Sequence, residues 1–178
     1  MRAWYILATI CCVVLPFFLS PAVAADAVVA KRVVRADSGG PNLLRAEAWH
    51  PWQAGFEVED GALVCDNGSD VDAQRGASQQ VVLDQTRAEP IVATVASRAE
   101  EVTGSPDNDY ALYLDLVYMD GTNLWGQTAV FDIGSHDWQT RQVVVVPEKP
   151  VRSVSVHLLL RRHGGKAWFR DPVLRVLA

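Results

Sequence analysis

The sequence predicts an all-β fold, an antiparallel sandwich or barrel, on three observations. Residues after position 24 show no helical apolar period of useful length. Short runs rich in Val, Ile, Leu, Tyr or Thr recur instead, each closed by a Gly, Pro, Asn or Asp cluster. Two of these runs alternate cleanly between aliphatic and other residues, as strands with one buried face do. Many short strands at this spacing are typical of sandwiches and barrels.

The candidate strands follow one another from residue 42 to the C-terminus. Breaker clusters such as 67–70, 104–109 and 147–150 separate them. Asp120-Gly121 and Gly164-Gly165 predict tight hairpin turns, because glycine adopts positive φ without steric cost. The predicted strands lie near 42–48, 55–59, 62–66, 76–84, 90–101, 110–119, 125–132, 138–146, 151–161 and 166–177.

The first 24 residues have the pattern of a cleaved signal peptide. Arg2 precedes an apolar run over residues 4–19, and 22–24 read Ala-Val-Ala, a small-x-small cleavage site. An uncleaved membrane anchor is the alternative, but the run is short for a span and Pro16 interrupts it. We therefore expect a secreted or periplasmic cell-envelope protein without a membrane anchor after cleavage. Residues 25–41 would form a leading strand or tail, and 42–178 one domain.

Composition excludes several classes of protein. A length of 178 residues suits a single domain, and a net charge of −5 argues against nucleic acid as the main partner. Cys11 and Cys12 leave with the signal peptide, so the mature chain has no intramolecular disulfide. The remaining Cys65 lies in an alternating run and is predicted to be a small buried side chain and not a nucleophile.

The two alternating strands predict both the core and a candidate binding face. One aliphatic set is Leu112, Leu114, Leu116 and Tyr118, and the other is Val154, Val156, Leu158 and Leu160. The opposite faces carry Tyr113, Asp115, His157 and Arg161, beside Val117, Ser153, Ser155 and Leu159. Tyr, Asp, His and Arg together can stack on a sugar ring and bond its hydroxyls. A merely solvated sheet face is an equal alternative.

Enzyme and metal motifs are missing from the sequence. It contains no G-x-S-x-G elbow, phosphate-binding glycine loop or H-E-x-x-H pair, and its four histidines are scattered. Glu100 and Glu101 would point to opposite strand faces, and Asp107 and Asp109 are predicted to be turn residues. The acidic segment 66–72 lacks EF-hand spacing and predicts an Asx-rich turn more than a calcium loop. We therefore predict no catalytic residue and no bound metal or other cofactor.

From Asn42 onward the order of motifs resembles secreted carbohydrate-binding modules with the galactose-binding-like jelly-roll fold. The motifs are Asn42-Leu43-Leu44 with Pro51-Trp52, Gly76-Ala77-Ser78-Gln79-Gln80, Tyr110-Ala111-Leu112-Tyr113-Leu114-Asp115, Asp137-Trp138-Gln139, and the closing strand over 165–174. The resemblance implies an antiparallel jelly-roll β-sandwich. Many such modules hold a structural calcium with an aspartate of the last strand, here Asp171. Arg170 stands where the family has another acidic residue, so we do not predict the metal.

The resemblance also implies that strands 76–84, 110–119, 125–132 and 151–161 share one sheet. Its outer face would hold Gln80, Tyr113, Asp115, His157 and Arg161. Tyr113 would stack on a sugar while the polar groups bond hydroxyls, or Arg161 pairs with a uronate or sulfate. Trp125 and Gln127 would join this face only if their strand exposes it, since Phe131 of the same parity resembles core.

The sequence predicts packing roles for most of the other tryptophans. Trp52, Trp138 and Trp168 are expected to pack in the core or loops, and Trp49 is the alternative platform at an edge loop. The function expected from the resemblance is non-catalytic binding of a polysaccharide or oligosaccharide. A structural or protein-interaction module of the same fold is the alternative, with a protein partner. A small glycan-active enzyme is the least favoured.

Overall fold

Residues 39–177, which a computed structural model describes, form two five-stranded antiparallel sheets. The first has the strand order β1-β4-β9-β6-β7 and the second β2-β3-β10-β5-β8. The strands are β1 (His50–Gln53), β2 (Glu57–Glu59), β3 (Ala62–Gly68), β4 (Gln74–Val82), β5 (Ile91–Val102), β6 (Tyr110–Tyr118), β7 (Asn123–Val130), β8 (Gly134–Val145), β9 (Val151–Arg161) and β10 (Gly165–Val176). A single 3-10 turn (Ala46–Ala48) precedes β1. The predicted all-β jelly-roll sandwich is confirmed.

The expected signal peptide and most of the leading segment, residues 1–38, lie outside the described residues. Between residues 39 and 177 there is no helix long and apolar enough to cross a membrane. The four strands expected to share a sheet do so, as β4, β9, β6 and β7, and β1 joins them at one edge.

The predicted strand over 42–48 is wrong, whereas every other predicted strand overlaps an observed one. One backbone hydrogen bond, from the N–H of Leu43 to the carbonyl of Leu174 at 2.9 Å, joins this segment to β10, and side chains add further contacts. The Asn42 carboxamide oxygen accepts from the backbone N–H of Leu174, and the Gln79 side chain bonds both N–H and C=O of Arg45 at 2.9 Å. Because side chains bond backbone groups that a ladder would otherwise pair, the segment lies beside β10 without forming a regular strand. The strand that follows, β1, was not predicted.

The predicted core is confirmed. Leu112, Leu114 and Leu116 are at most 1% exposed, and the alternate residues Val154, Val156, Leu158 and Leu160 are fully buried. Cys65 is also fully buried, and desolvation raises the pKa of its thiol to about 12. The thiol is therefore an inert part of the core, as expected.

One of the two predicted hairpin turns is confirmed and the other is wrong. At Asp120-Gly121, Gly121 donates its N–H to the carbonyl of Tyr118 (3.0 Å) between the paired strands β6 and β7. Gly164-Gly165 instead joins β9 to β10, which lie in different sheets. A Cβ on Gly165 would lie 2.6 Å from the carbonyl carbon of Glu101, so glycine is needed there because two backbones cross closely.

Candidate functional site

The outer face of the first sheet carries the candidate site, and strand register decides which residues meet on it. Residues directly opposite each other in antiparallel strands project to the same face. In one row His50, Ser78, His157, Tyr113 and Thr128 lie side by side across the five strands. Neighbouring rows pair Asp115 with Ser155 and Gln80, and Trp52 with Gly76.

A hollow of about 230 Å³ opens on this face. Its lining comprises Trp52, Tyr113, Asp115, His157, Leu159 and Arg161. The structure thus brings together four residues proposed from the sequence, and it adds Trp52, which was expected to pack in the core or in a loop. Trp52 was missed because β1 was not recognised, although His50 and Trp52 alternate around Pro51 as residues of one strand face do.

Arg161 lies between the two aromatic rings of the hollow. Its guanidinium carbon is 5.6 Å from the ring centroid of Trp52 and 5.6 Å from that of Tyr113. Both distances are within the range of cation–π attraction. The His157 ring meets the Tyr113 ring edge-on, with centroids 5.8 Å apart and planes at 77°. These contacts hold two rings and one cation in a fixed arrangement.

The carboxylates at the hollow have different partners. Asp115 accepts the backbone N–H of Gly126 (3.0 Å), and its other oxygen lies 3.9 Å from His157 Nε2. Asp109 accepts from Arg161 Nε and, through its backbone carbonyl, from the Arg161 N–H (2.9 Å). Sequence reasoning treated Asp109 as a turn residue and missed this contact, which only the pairing of the 103–109 loop with β9 creates.

Burial determines the protonation of two groups at the site. Desolvation lowers the pKa of His157 below its ordinary value of 6.5, and the nearby Arg161 charge lowers it further, although Asp115 opposes both effects. His157 is therefore a neutral imidazole at neutral pH. Its buried Nδ1 has no hydrogen-bond partner among the described residues. Desolvation and the Asp115 charge raise the pKa of Tyr113, so its hydroxyl stays protonated and can donate.

A β-bulge in β7 places Trp125 and Gln127, whose orientation the sequence left open, on different faces of the strand. Gly126 has φ +71°, and the register shifts between Leu114 and Leu116, so that Trp125 and Gly126 both stand opposite Asp115. Trp125 is 58% exposed there. Gln127 pairs with the buried Leu114 and therefore lies on the other face of the strand.

Three predicted residues, Trp125, Gln127 and Gln80, are not among those that line the hollow. Gln127 instead lines a separate hollow of about 520 Å³ at the edge of the sandwich, with Tyr118 and Leu124. Gln80 is exposed on the outer face in register with Ser155, outside the lining of the first hollow. The binding roles of all these side chains stay predictions.

The tryptophans of the second sheet are covered by cations. The Arg98 guanidinium carbon lies 4.1 Å from the Trp168 centroid and 5.9 Å from that of Trp138. Lys166 Nζ lies 4.7 Å from the Trp168 ring, and the Arg170 guanidinium carbon 3.8 Å from the Trp138 ring. Arg170, the departure from the family motif, therefore stacks on an aromatic ring.

Trp49 and Asp171, for which other binding roles were expected, lie outside the hollow. Trp49 is partly buried against the main core and not displayed as a platform. Asp171, with φ +54°, is exposed beside a register shift in β10, and its carboxylate lies 3.6 Å from Arg170 Nε. Its expected role as a calcium ligand stays a prediction.

Comparison with known proteins gives sequence relatives that are much longer than this chain. No family model matches. The tRNA nuclease WapA of Bacillus subtilis (strain 168) is 29% identical over 135 residues, and the tRNA3(Ser)-specific nuclease WapA of Bacillus spizizenii has the same identity and extent. Each alignment covers 70% of this chain and 6% of the relative. The chain therefore spans only a small part of these relatives.

Solved structures match the fold. The Clostridium thermocellum xylanase 10B with its CBM22-1 and GH10 modules, complexed with xylohexaose, has a TM-score of 0.55 and 14% identity, covering 80% of this chain and 29% of that one. Tailspike protein 4 of bacteriophage CBA120 has a TM-score of 0.50 and 12% identity over 80% of this chain and 21% of that one. A CBM4 structure, with 19% identity, covers 72% and 86% with a TM-score of 0.47. The structural neighbours include carbohydrate-binding modules, and the resemblance is confirmed for the β-sandwich fold.

Proposed function

We propose that this protein binds a polysaccharide or oligosaccharide reversibly at the hollow on the outer face of its first sheet. The observation that carries the proposal is the placement of Trp52 and Tyr113 on either side of Arg161 on an open sheet face. Glycan sites combine an aromatic platform with a few fixed polar groups, and this hollow has both. Binding needs no covalent step.

Contrast with the second sheet supports the choice of face. A sugar stacks on an accessible ring face. Cations lie 3.8 Å from the Trp138 centroid and 4.1 and 4.7 Å from the Trp168 centroid, whereas Arg161 lies 5.6 Å from each ring of the hollow. Trp168 is also only 6% exposed. The tryptophans of the second sheet therefore stabilise that sheet, and stacking falls to Trp52 and Tyr113, with the exposed Trp125 as an extension beside Asp115.

The polar groups of the hollow complement sugar hydroxyls. Asp115 accepts hydrogen bonds, while Arg161 and the Tyr113 hydroxyl donate them. Gly126 already holds one oxygen of Asp115, which fixes the orientation of the carboxylate before a ligand arrives. Preorganised groups of this kind reduce the entropy lost on binding.

A glycan array with the purified protein tests the proposal. We expect binding that is lost in Trp52→Ala and in Tyr113→Ala, while Trp138→Ala on the second sheet retains it. Circular dichroism establishes that each variant is folded. Retained binding in both site variants would move the site elsewhere, and no binding of any glycan to the wild type would favour the protein-interaction alternative. The curated relatives are named nucleases, but the chain spans 6% of their length, and we propose no nuclease activity for it.

A further inference from the structure

The loop over residues 103–109 is attached at the end of the hollow by contacts to β7 and to the segment that follows β9. Asn108 accepts a hydrogen bond from the Thr128 hydroxyl of β7 at 2.7 Å. Asp107 lies 3.0 Å from Nε2 of His163, which is 2% exposed and follows β9. The same Asp107 carboxylate accepts the backbone N–H of Asp109 at 2.7 Å. The loop therefore presents Asp109 to the site in a fixed position.

Asp109 is a direct anionic partner of Arg161. One carboxylate oxygen accepts from Arg161 Nε, and the other lies 3.7 Å from Arg162 Nη1. The Asp109 side chain is 15% exposed and that of Arg161 24%. Because both groups are largely shielded from water, salt and solvent screen their attraction weakly.

Asp109 offsets positive charge beside the two rings. Arg161 and Arg162 supply two positive charges, and Asp109 and Asp115 supply two negative ones. His157 adds none at neutral pH, since burial lowers its pKa. A ligand carboxylate or sulfate at this hollow therefore meets a cation whose nearest position is already occupied by a carboxylate.

We propose that Asp109 is the specificity-determining residue of the hollow, where it positions Arg161 and neutralises its charge so that the site selects uncharged sugars over uronates. The proposal rests on the proposed function and names the class of glycan. Arg161 then acts as a hydrogen-bond donor between two rings and not as an anion receptor. A guanidinium has five N–H donors, and Asp109 takes the one at Nε.

Matched sugars test the selection. Cellohexaose, laminarihexaose and mannohexaose are each compared by calorimetry with the same oligosaccharide oxidised at C6 to the carboxylate. We expect the wild type to prefer the neutral sugar. In Asp109→Asn, the affinity for the neutral oligosaccharide should fall roughly 2- to 12-fold, because Arg161 is no longer held in place by the Asp109 carboxylate. The affinity for the oxidised oligosaccharide should rise. The ratio of neutral to oxidised affinity should therefore fall by about tenfold at low salt and by less at high salt.

Two further variants separate electrostatic selection from simple structural damage. Asp132→Asn removes a similar carboxylate from Arg141, a pair 3.0 Å apart that does not line the hollow, and should leave the preference unchanged. Arg161→Gln removes the cation instead, and should shift the preference toward the neutral sugar, opposite to Asp109→Asn. If Asp109→Asn does not fold, Asp109→Ser removes the same charge and is expected to narrow the preference in the same way.

The possible results are distinguishable. An unchanged preference in folded Asp109→Asn or Arg161→Gln overturns the proposal while leaving sugar binding intact. If the wild type binds none of the sugars, the proposed function fails for these ligands, and sugar selection by Asp109 fails with it. The Nε–H resonance of Arg161, followed by NMR without ligand, still reports the contact: it should shift in Asp109→Asn, and an unchanged resonance rejects the positioning role.

Discussion

Replacing Gly165 with alanine tests the inference that the chain crosses between the sheets through a crowded point. Gly165 and Gly121 both have positive φ, +95° and +83°, so alanine is strained at either position. Their surroundings differ. A Cβ at Gly121 meets no atom within 4 Å, whereas a Cβ at Gly165 would lie 2.6 Å from the backbone of Glu101 and 2.7 Å from that of Glu100. Gly121→Ala is therefore the matched control.

The expected losses of stability differ because only one variant has a steric conflict. Left-handed backbone costs a non-glycine residue about 1–2 kcal/mol, and the stiffer unfolded chain of an alanine variant returns about 0.4–1 kcal/mol. Gly121→Ala should therefore lose about 1 kcal/mol. Gly165→Ala must also displace backbone, and overpacking of this kind costs about 1–3 kcal/mol more.

Urea unfolding followed by tryptophan fluorescence and circular dichroism measures both variants. We expect the unfolding midpoint of Gly165→Ala to fall clearly below that of Gly121→Ala, with similar denaturant slopes. Equal midpoints would refute the crossing geometry, because the remaining strain is common to both positions. A nearly unfolded Gly165→Ala variant would agree with it.

Three other predictions concern buried polar and sulfur groups. The pKa of His157 is lowered in the folded state, so the unfolded chain binds more protons, and the free energy of unfolding falls as the pH drops below about 6.5. His157→Phe should flatten this part of the curve of stability against pH. An unaltered curve would contradict the lowered pKa. Asn67 begins an Asn-Gly-Ser glycosylation sequon, but its side-chain NH2 group donates to the carbonyls of Leu160 and His163, and the residue is 7% exposed. After expression in a eukaryotic secretory host, intact-mass spectrometry should therefore show no glycan at this position. Cys65 should resist thiol reagents until urea unfolds the protein, and rapid labelling of the native state by peptide mapping would argue against its burial.

The predicted site shows where local pattern succeeds. Leu114 and Tyr113 are neighbours on β6, and alternation alone places the first in the core and the second on the outer face. The same rule places His157 and Arg161 on the outer face of β9 and Leu158 and Leu160 on its core face. One buried face removes the ambiguity, because a shift of one residue would expose every aliphatic side chain of the strand.

Local pattern fails where the strand departs from regular pairing. Trp125 and Gln127 have the same parity, but the bulge at Gly126 places Gln127 opposite the core residue Leu114 and leaves Trp125 opposite Asp115. The bulge depends on a positive φ and on the partner strand, and neither can be read from alternation within β7.

The sequence by itself determined the fold class, the faces of β6 and β9 and the burial of Cys65, because apolar periodicity and the breakers between strands are local properties. Only the tertiary structure decided which residues surround Arg161. Trp52 reaches it through an edge strand, and Asp109 through a loop that His163 and Thr128 hold. These partners are far apart in the chain, and they meet because strand order, register and the crossing between sheets bring them to one face.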